Sequence, residues 1–166
     1  MTDGDTDWRR WLDRDGPALL LLARQYVPDR ADAEDVVQEA FVRFWRARGR
    51  AADARAYLFA CVRRCALEWL RGTRRRDRRE EAVARPDVAD PLFETRLVQE
   101  DRRRQVEAAL ARLPAEQREV VILKVWGGLT FPEIAAALDV PANTAASRYR
   151  YALDRLRPHL SEELIA

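Results

Sequence analysis

The 166-residue sequence holds one histidine, His159, one lysine, Lys124, and two cysteines, Cys61 and Cys65. One histidine and two cysteines four residues apart in a helical pattern supply neither a metal site nor a disulfide framework. The thiols instead read as buried small apolar groups. No glycine-rich phosphate cradle occurs, and the carboxylate pair Glu80-Glu81 falls in a charged, solvent-facing stretch. No catalytic residues, no cofactor and no metal are therefore expected, and the chain does not read as an enzyme. The longest apolar run, Ala18 to Ala23, is far shorter than the ~18 residues a membrane span needs. Met1 to Asp15 is acidic and carries Trp8 and Trp11, unlike the basic then apolar layout of a signal peptide. A cytoplasmic protein without membrane insertion is expected. Strand signals are missing too, which removes a receiver domain with its parallel sheet.

Helical periodicity is present almost throughout, and hydrophobic residues make up 48% of the chain. The spacing predicts an all-α protein of two small helical domains joined by a flexible linker. A first helix is expected from Pro17 to Val27, ended by Pro28-Asp29, and a second from Asp32. In the second, Val37, Phe41, Phe44 and Trp45 form the packing face, while Asp35, Gln38, Glu39 and Arg43 point elsewhere. After a loop over 47–53, a third helix is expected from Arg55 to Arg74, with Leu58, Val62, Cys65 and Trp69 as its inner stripe. The charged stretch beyond Arg75, with Pro86 and Pro91, reads as a linker over 78–97. That gives domains over 1–77 and 98–166.

The second domain should open with a helix from Val98 to Leu113, followed by one from Ala115 to Trp126 that Gly127-Gly128 closes. Thr130 and Glu133 have the spacing of a capping box, a strong start for a short helix through Ile134 and Leu138. Asp139 can take the left-handed turn conformation that follows. After Pro141, Asn143 is expected to cap a final helix whose Ala145, Tyr149, Ala152 and Leu156 face inward. A short helix, a tight turn and a second helix with a basic outer face describe a helix-turn-helix reader, winged-helix-like in class. Thr144, Ala146, Ser147, Arg148, Arg150 and Tyr151 would then face the major groove. Arginine can give guanine two parallel hydrogen bonds, and threonine or serine can bond phosphates or base edges.

Charge is spread unevenly, although the net is only +2. Residues 57–85 hold 9 basic against 4 acidic groups. A second patch, Arg148, Arg150, Arg155 and Arg157, faces Asp154 alone within 148–157. Two separated basic patches suit a polyanion touched twice, although arginine is also the general cation of this chain.

The run Leu113-Pro114-Ala115-Glu116-Gln117-Arg118-Glu119-Val120, then Gly128-Leu129-Thr130 and Glu133-Ile134-Ala135, resembles the carboxy-terminal domain of extracytoplasmic-function (ECF) sigma factors of the sigma-70 family. Upstream, Asp32-Ala33-Glu34-Asp35-Val36-Val37-Gln38-Glu39-Ala40-Phe41, ending in Phe44-Trp45-Arg46, is similar to the family's polymerase-binding helix. Tyr57-Leu58 through Trp69-Leu70-Arg71 resembles its promoter-melting helix. The resemblance covers roughly residues 17–76 and 106–160.

The resemblance implies a monomeric initiation factor that binds core RNA polymerase, at the β′ coiled coil and the β flap, and directs it to promoter DNA. It assigns polymerase binding to Asp35, Gln38, Glu39 and Arg43. Arg55, Tyr57, Arg63, Arg64, Arg71 and Arg74 would hold the minus-ten element as a single strand, by phosphate contacts and stacking. Thr144, Ser147, Arg148, Arg150 and Tyr151 would read the minus-thirty-five element. An anti-sigma protein is the restraint the resemblance suggests, with control of expression as the alternative.

Three positions depart from the family pattern: Ala146 stands where a basic residue is frequent, Arg64 where asparagine is usual, and Asp139 where glycine is usual. They bear on promoter sequence rather than on class. The competing reading is a helix-turn-helix regulator that acts without replacing a sigma factor, and a polymerase adapter that reads no DNA is a third. The two basic patches speak against the adapter.

Overall fold

The computed structural model describes residues 3–77 and 97–159, with side chains from Trp8 to Arg76, Arg48 apart, and from Arg104 to His159. The expected linker, with Glu80, Glu81, Pro86 and Pro91, lies outside the described residues. Seven α-helices follow one another: α1 (Asp3–Arg24), α2 (Arg30–Ala47), α3 (Ala54–Asp77), α4 (Leu97–Ala111), α5 (Ala115–Val121), α6 (Phe131–Leu138) and α7 (Ala142–Leu156). Among the described residues there is no strand.

The first helix starts well before the expected Pro17, which instead lies inside it. Proline withholds one ladder hydrogen bond and costs a helix interior ~3 kcal/mol, so packing must hold the early turns. Trp11 lies against Phe44 with ring centroids 5.2 Å apart. Asp15 is fully buried and ion-paired to Arg14 and Arg55. Beyond Pro17 the run Ala18 to Ala23 is buried throughout.

Aspartates start the next two helices. The Asp32 amide donates to Asp29 Oδ1 at 3.1 Å, which moves the start of α2 ahead of the expected Asp32. Asp53 Oδ1 likewise accepts from the Ala56 amide at 3.0 Å, so α3 begins one residue before Arg55. Phe44, Leu58, Phe59 and Val62 close the core between α2 and α3.

In the second half, Arg118 donates to the carbonyls of Leu110 and Leu113, both at 2.9 Å. One guanidinium thereby ties together two carbonyls at and just past the end of α4, and the Leu110 carbonyl also accepts from the Leu113 amide. Past Val121 the chain widens into a π-helical turn, Ile122–Trp126, which buries Ile122 and Leu123 and exposes Val125 and Trp126. The two glycines that follow divide the work. Gly128 alone takes a positive φ, 62°. Gly127 is helical, but a Cβ there would lie 2.5 Å from the Leu123 carbonyl oxygen.

The capping box is present in both directions. Thr130 Oγ1 accepts from the Glu133 amide at 3.3 Å, and Glu133 accepts from the Thr130 amide at 2.6 Å. Asp139 closes α6 at φ 55°, ψ 52°. The expected Asn143 cap does not form. The cap position of α7 is Pro141, whose ring fixes φ at −61°, and whose carbonyl accepts from Ala145 at 3.1 Å. Asn143 is left exposed in the first turn.

The two halves touch. α1 packs on α2, on α3 and on the π-helical turn, and α3 also packs on α6. One buried apolar cluster therefore extends through both.

Candidate nucleic-acid interface

On α2, Asp35, Gln38 and Glu39 are exposed, as their spacing predicts. Arg43 is committed elsewhere: it donates to Glu39 at 2.9 Å and, across the helix pair, to Glu68 at 2.7 Å. The fourth member of the outward stripe is Val42, 46% exposed, at i+7 from Asp35. An acidic and amide stripe ending in a bare valine offers charge pairing and apolar contact together. The i, i+3, i+4, i+7 spacing alone could have identified Val42.

On α3 the six predicted DNA contacts divide between two faces. Arg64, Arg71 and Arg74 are exposed, as is Arg75, which continues the same row. Tyr57 heads that row, half-buried, its ring 6.1 Å from Phe44. A hydrogen bond with Cys61 is the main cause that raises the Tyr57 hydroxyl above its ordinary pKa. Burial pushes the Cys61 and Cys65 thiols upward, so both stay neutral and unreactive.

Arg55 and Arg63 point the other way, toward the second half. Arg55 donates to Asp15 at 2.7 Å and to the carbonyl of Gly127. Arg63 donates to the buried carboxylate of Glu119 at 2.6 Å, which also accepts from the Tyr26 hydroxyl. Burial, followed by the Glu119 charge and hydrogen bond, holds the Tyr26 hydroxyl above its usual pKa. Asp15, Tyr26 and Glu119 were not singled out in the sequence, since nothing in the local pattern separates a buried acidic residue from an exposed one.

On α7, Ala145, Ala152 and Leu156 are buried and Tyr149 is half-buried, so the inward face is as expected. Arg150 and Tyr151 are exposed, with the guanidinium 5.2 Å from the ring centroid. Thr144, Ala146, Ser147 and Arg148 are half-buried, and Arg148 leans toward Glu116 of α5 at 3.8 Å. Helical geometry places Asn143 in line with Ser147 and Arg150, at i, i+4 and i+7. An asparagine at that place can pair with adenine, a residue type suited to base reading that the capping expectation hid. From below, Lys124 stacks on Phe131 at 4.8 Å and Phe131 meets Tyr149 edge-on at 5.8 Å. That stack sets the seat of α7.

Known proteins share both halves. Sigma-70 region 2 matches residues 11–76, and Sigma-70, region 4, matches residues 103–156. The chain belongs to the sigma-70 family, as an ECF sigma factor. The RNA polymerase sigma-E factor of Streptomyces avermitilis is 36% identical over 146 residues, which are 86% of this chain and 79% of the relative. The ECF RNA polymerase sigma factor SigL of Mycobacterium tuberculosis is 30% identical over 93% of this chain and 89% of its own length. Among solved structures, the sigma factor RpoE of Bartonella quintana, in complex with the anti-sigma factor NepR, has a TM-score of 0.67 at 25% identity. It covers 92% of this chain and 95% of that one.

In this sigma factor the region 2 match contains α2 and all of α3 but its last residue, and the region 4 match contains α5, α6 and α7. The three departures take definite places. Arg64 is exposed on the α3 row, Ala146 is half-buried on α7, and Asp139 occupies the left-handed turn between α6 and α7. Among the described residues no helix is long and apolar enough to cross a membrane, and no group of three or more His, Cys, Asp or Glu could hold a metal ion.

Proposed function

We propose that this sigma factor divides one promoter between its halves, 1–77 and 98–166, while α2 grips core RNA polymerase. The observation that carries the reading is the exposed arginine row of α3, Arg64, Arg71, Arg74 and Arg75, headed by Tyr57. Guanidinium groups follow phosphates, and an aromatic ring can stack on an unpaired base for about 1–3 kcal/mol. Binding energy for unpaired bases then offsets the cost of opening the minus-ten element, with no covalent step.

Asp35, Gln38, Glu39 and Val42 form the docking stripe for polymerase, with Arg43 bracing it through Glu39 and Glu68. Asn143, Thr144, Ser147, Arg148, Arg150 and Tyr151 read the minus-thirty-five duplex from the amino-terminal part of α7. An anti-sigma protein, such as the one that holds the Bartonella quintana factor, is the proposed restraint. The protein works in the cytoplasm as a monomer until polymerase takes it up. Run-off transcription with purified core polymerase tests the reading: specific transcripts are expected from a subset of promoters. Specific operator binding without polymerase would favour an ordinary regulator.

A further inference from the structure

The exposed arginine row of α3 contains one residue of the opposite sign. Between Arg55 and Arg76 the chain holds a single carboxylate, Glu68. Helical geometry sets it four residues after Arg64 and three before Arg71, on the same face as both. Its side chain is 44% exposed. Left bare, it would repel the phosphates that its neighbours are placed to attract. Arg43 prevents that: it crosses from α2 and donates to Glu68 Oε2 at 2.7 Å, while its Nε holds Glu39 at 2.9 Å. This fork fixes one carboxylate oxygen and leaves the other, Oε1, as an acceptor among guanidinium donors.

We infer that Glu68, held in place by Arg43, is a base-selecting residue of the α3 row, which accepts from the exocyclic amino group of an unpaired base, cytosine N4 or adenine N6, and disfavours thymine at that position. The inference rests on the reading of α3 as the strand-holding helix. Residues three and four apart on a helix lie about 5–6 Å from one another, so phosphates seated on Arg64 and Arg71 bracket Glu68. A further phosphate over Glu68 is repelled, and the strand turns a base edge there instead. An ionised carboxylate only accepts. Cytosine and adenine carry amino donors to meet it, whereas thymine presents the O4 carbonyl in their place. A side chain that merely balanced charge would treat these bases alike. Arg43 acts through Glu68 and is a positioning residue, because without it the carboxylate is free to rotate away.

The test captures strands from a pool of short single-stranded DNA, randomised at every position, on holoenzyme assembled from the full chain and core polymerase. Base preferences are ratios among bound strands, so they do not depend on how much polymerase a variant recruits. With the unaltered chain, one position should favour cytosine or adenine over thymine by about fivefold or more. Single strands that differ there only in cytosine, adenine or thymine then separate the two amino sources. Glu68→Ala should bring that preference below about twofold and leave the other positions as they were. Glu68→Gln, whose amide donates as well as accepts, should admit thymine equally. Arg43→Ala should blunt the preference at the same position, and Arg43→Lys should keep more of it, since an ammonium still supplies one bond. Preferences unaltered at every position in both Glu68 variants overturn the inference. So does tighter binding of all strands alike with no preference lost, the signature of a plain surface charge. The reading of α3 is tested apart: Arg64→Ala with Arg71→Ala should weaken capture of every strand, and undiminished capture overturns that reading itself.

Discussion

Arg63 and Glu119 lie 56 residues apart in the chain, yet Nε of one donates to Oε1 of the other at 2.6 Å. The pair joins α3, which is expected to hold the opened strand, to α5, which supports the reader. Charge placement across this seam keeps Arg55 and Arg63 paired and leaves Arg64, Arg71, Arg74 and Arg75 exposed.

Neighbouring residues of α2 should separate packing from docking. Phe44 is almost fully buried among Trp11, Trp45 and Tyr57. Phe44→Ala should therefore cost about 3–5 kcal/mol of stability in urea denaturation. Val42→Ala, at an exposed site, should leave stability within about 0.5 kcal/mol and weaken binding to core polymerase. Equal effects on polymerase binding after correction for folding would remove Val42 from the docking stripe.

The reader face carries a sequence-specific expectation. Arg150→Ala and Asn143→Ala should each relax preference at one position of the minus-thirty-five element, by about 1–3 kcal/mol in competition binding by the holoenzyme. Neither should change preference in the minus-ten element. A uniform loss across all sequences would mark these side chains as phosphate contacts instead.

Alkaline pH should loosen the protein in stages. The Cys61 and Cys65 thiols are raised above 9.0, and the Tyr26 hydroxyl above 10.0. Each group keeps its proton in the fold after the unfolded chain has lost it. The stability they contribute is full below those ordinary values and is lost as pH rises toward the folded ones. Urea midpoints should be level to about pH 8.5, then decline, and fall more steeply beyond pH 10. Tyr26→Phe should flatten the steeper part, and an unaltered slope in that variant would contradict the assignment.

The glycine pair should rank in a definite order. Gly128→Ala places a Cβ at φ 62°, a strain of about 1–2 kcal/mol. Gly127→Ala drives a Cβ to 2.5 Å from the Leu123 carbonyl oxygen, where backbone must move. Thermal unfolding should show the larger loss for Gly127→Ala.

Periodicity and caps made much of this fold legible. The capping box at Thr130 and Glu133 names both partners of a local bond, and the inward face of α7 follows from one helical repeat. What failed locally was overridden by distant contacts. Pro17 suits a first turn because of its ring, and the packing of Trp11 on Phe44 together with the ion pairs of buried Asp15 carries α1 through it. Asn143 looked like a cap, but Pro141 already fixes the required backbone. The arginines of α3 look alike in sequence. Which of them meets solvent depends on Asp15, Glu119 and the Gly127 carbonyl, all supplied by segments far away in the chain.

The most direct test of a sigma factor that opens its promoter through the α3 row is permanganate footprinting of a supercoiled promoter library with core polymerase. With the unaltered chain, unpaired thymines should appear in the minus-ten element of the promoters that yield transcripts. Arg64→Ala with Arg71→Ala should abolish that reactivity while the chain still binds polymerase. Open complexes that form undiminished with the doubly substituted chain would contradict the account.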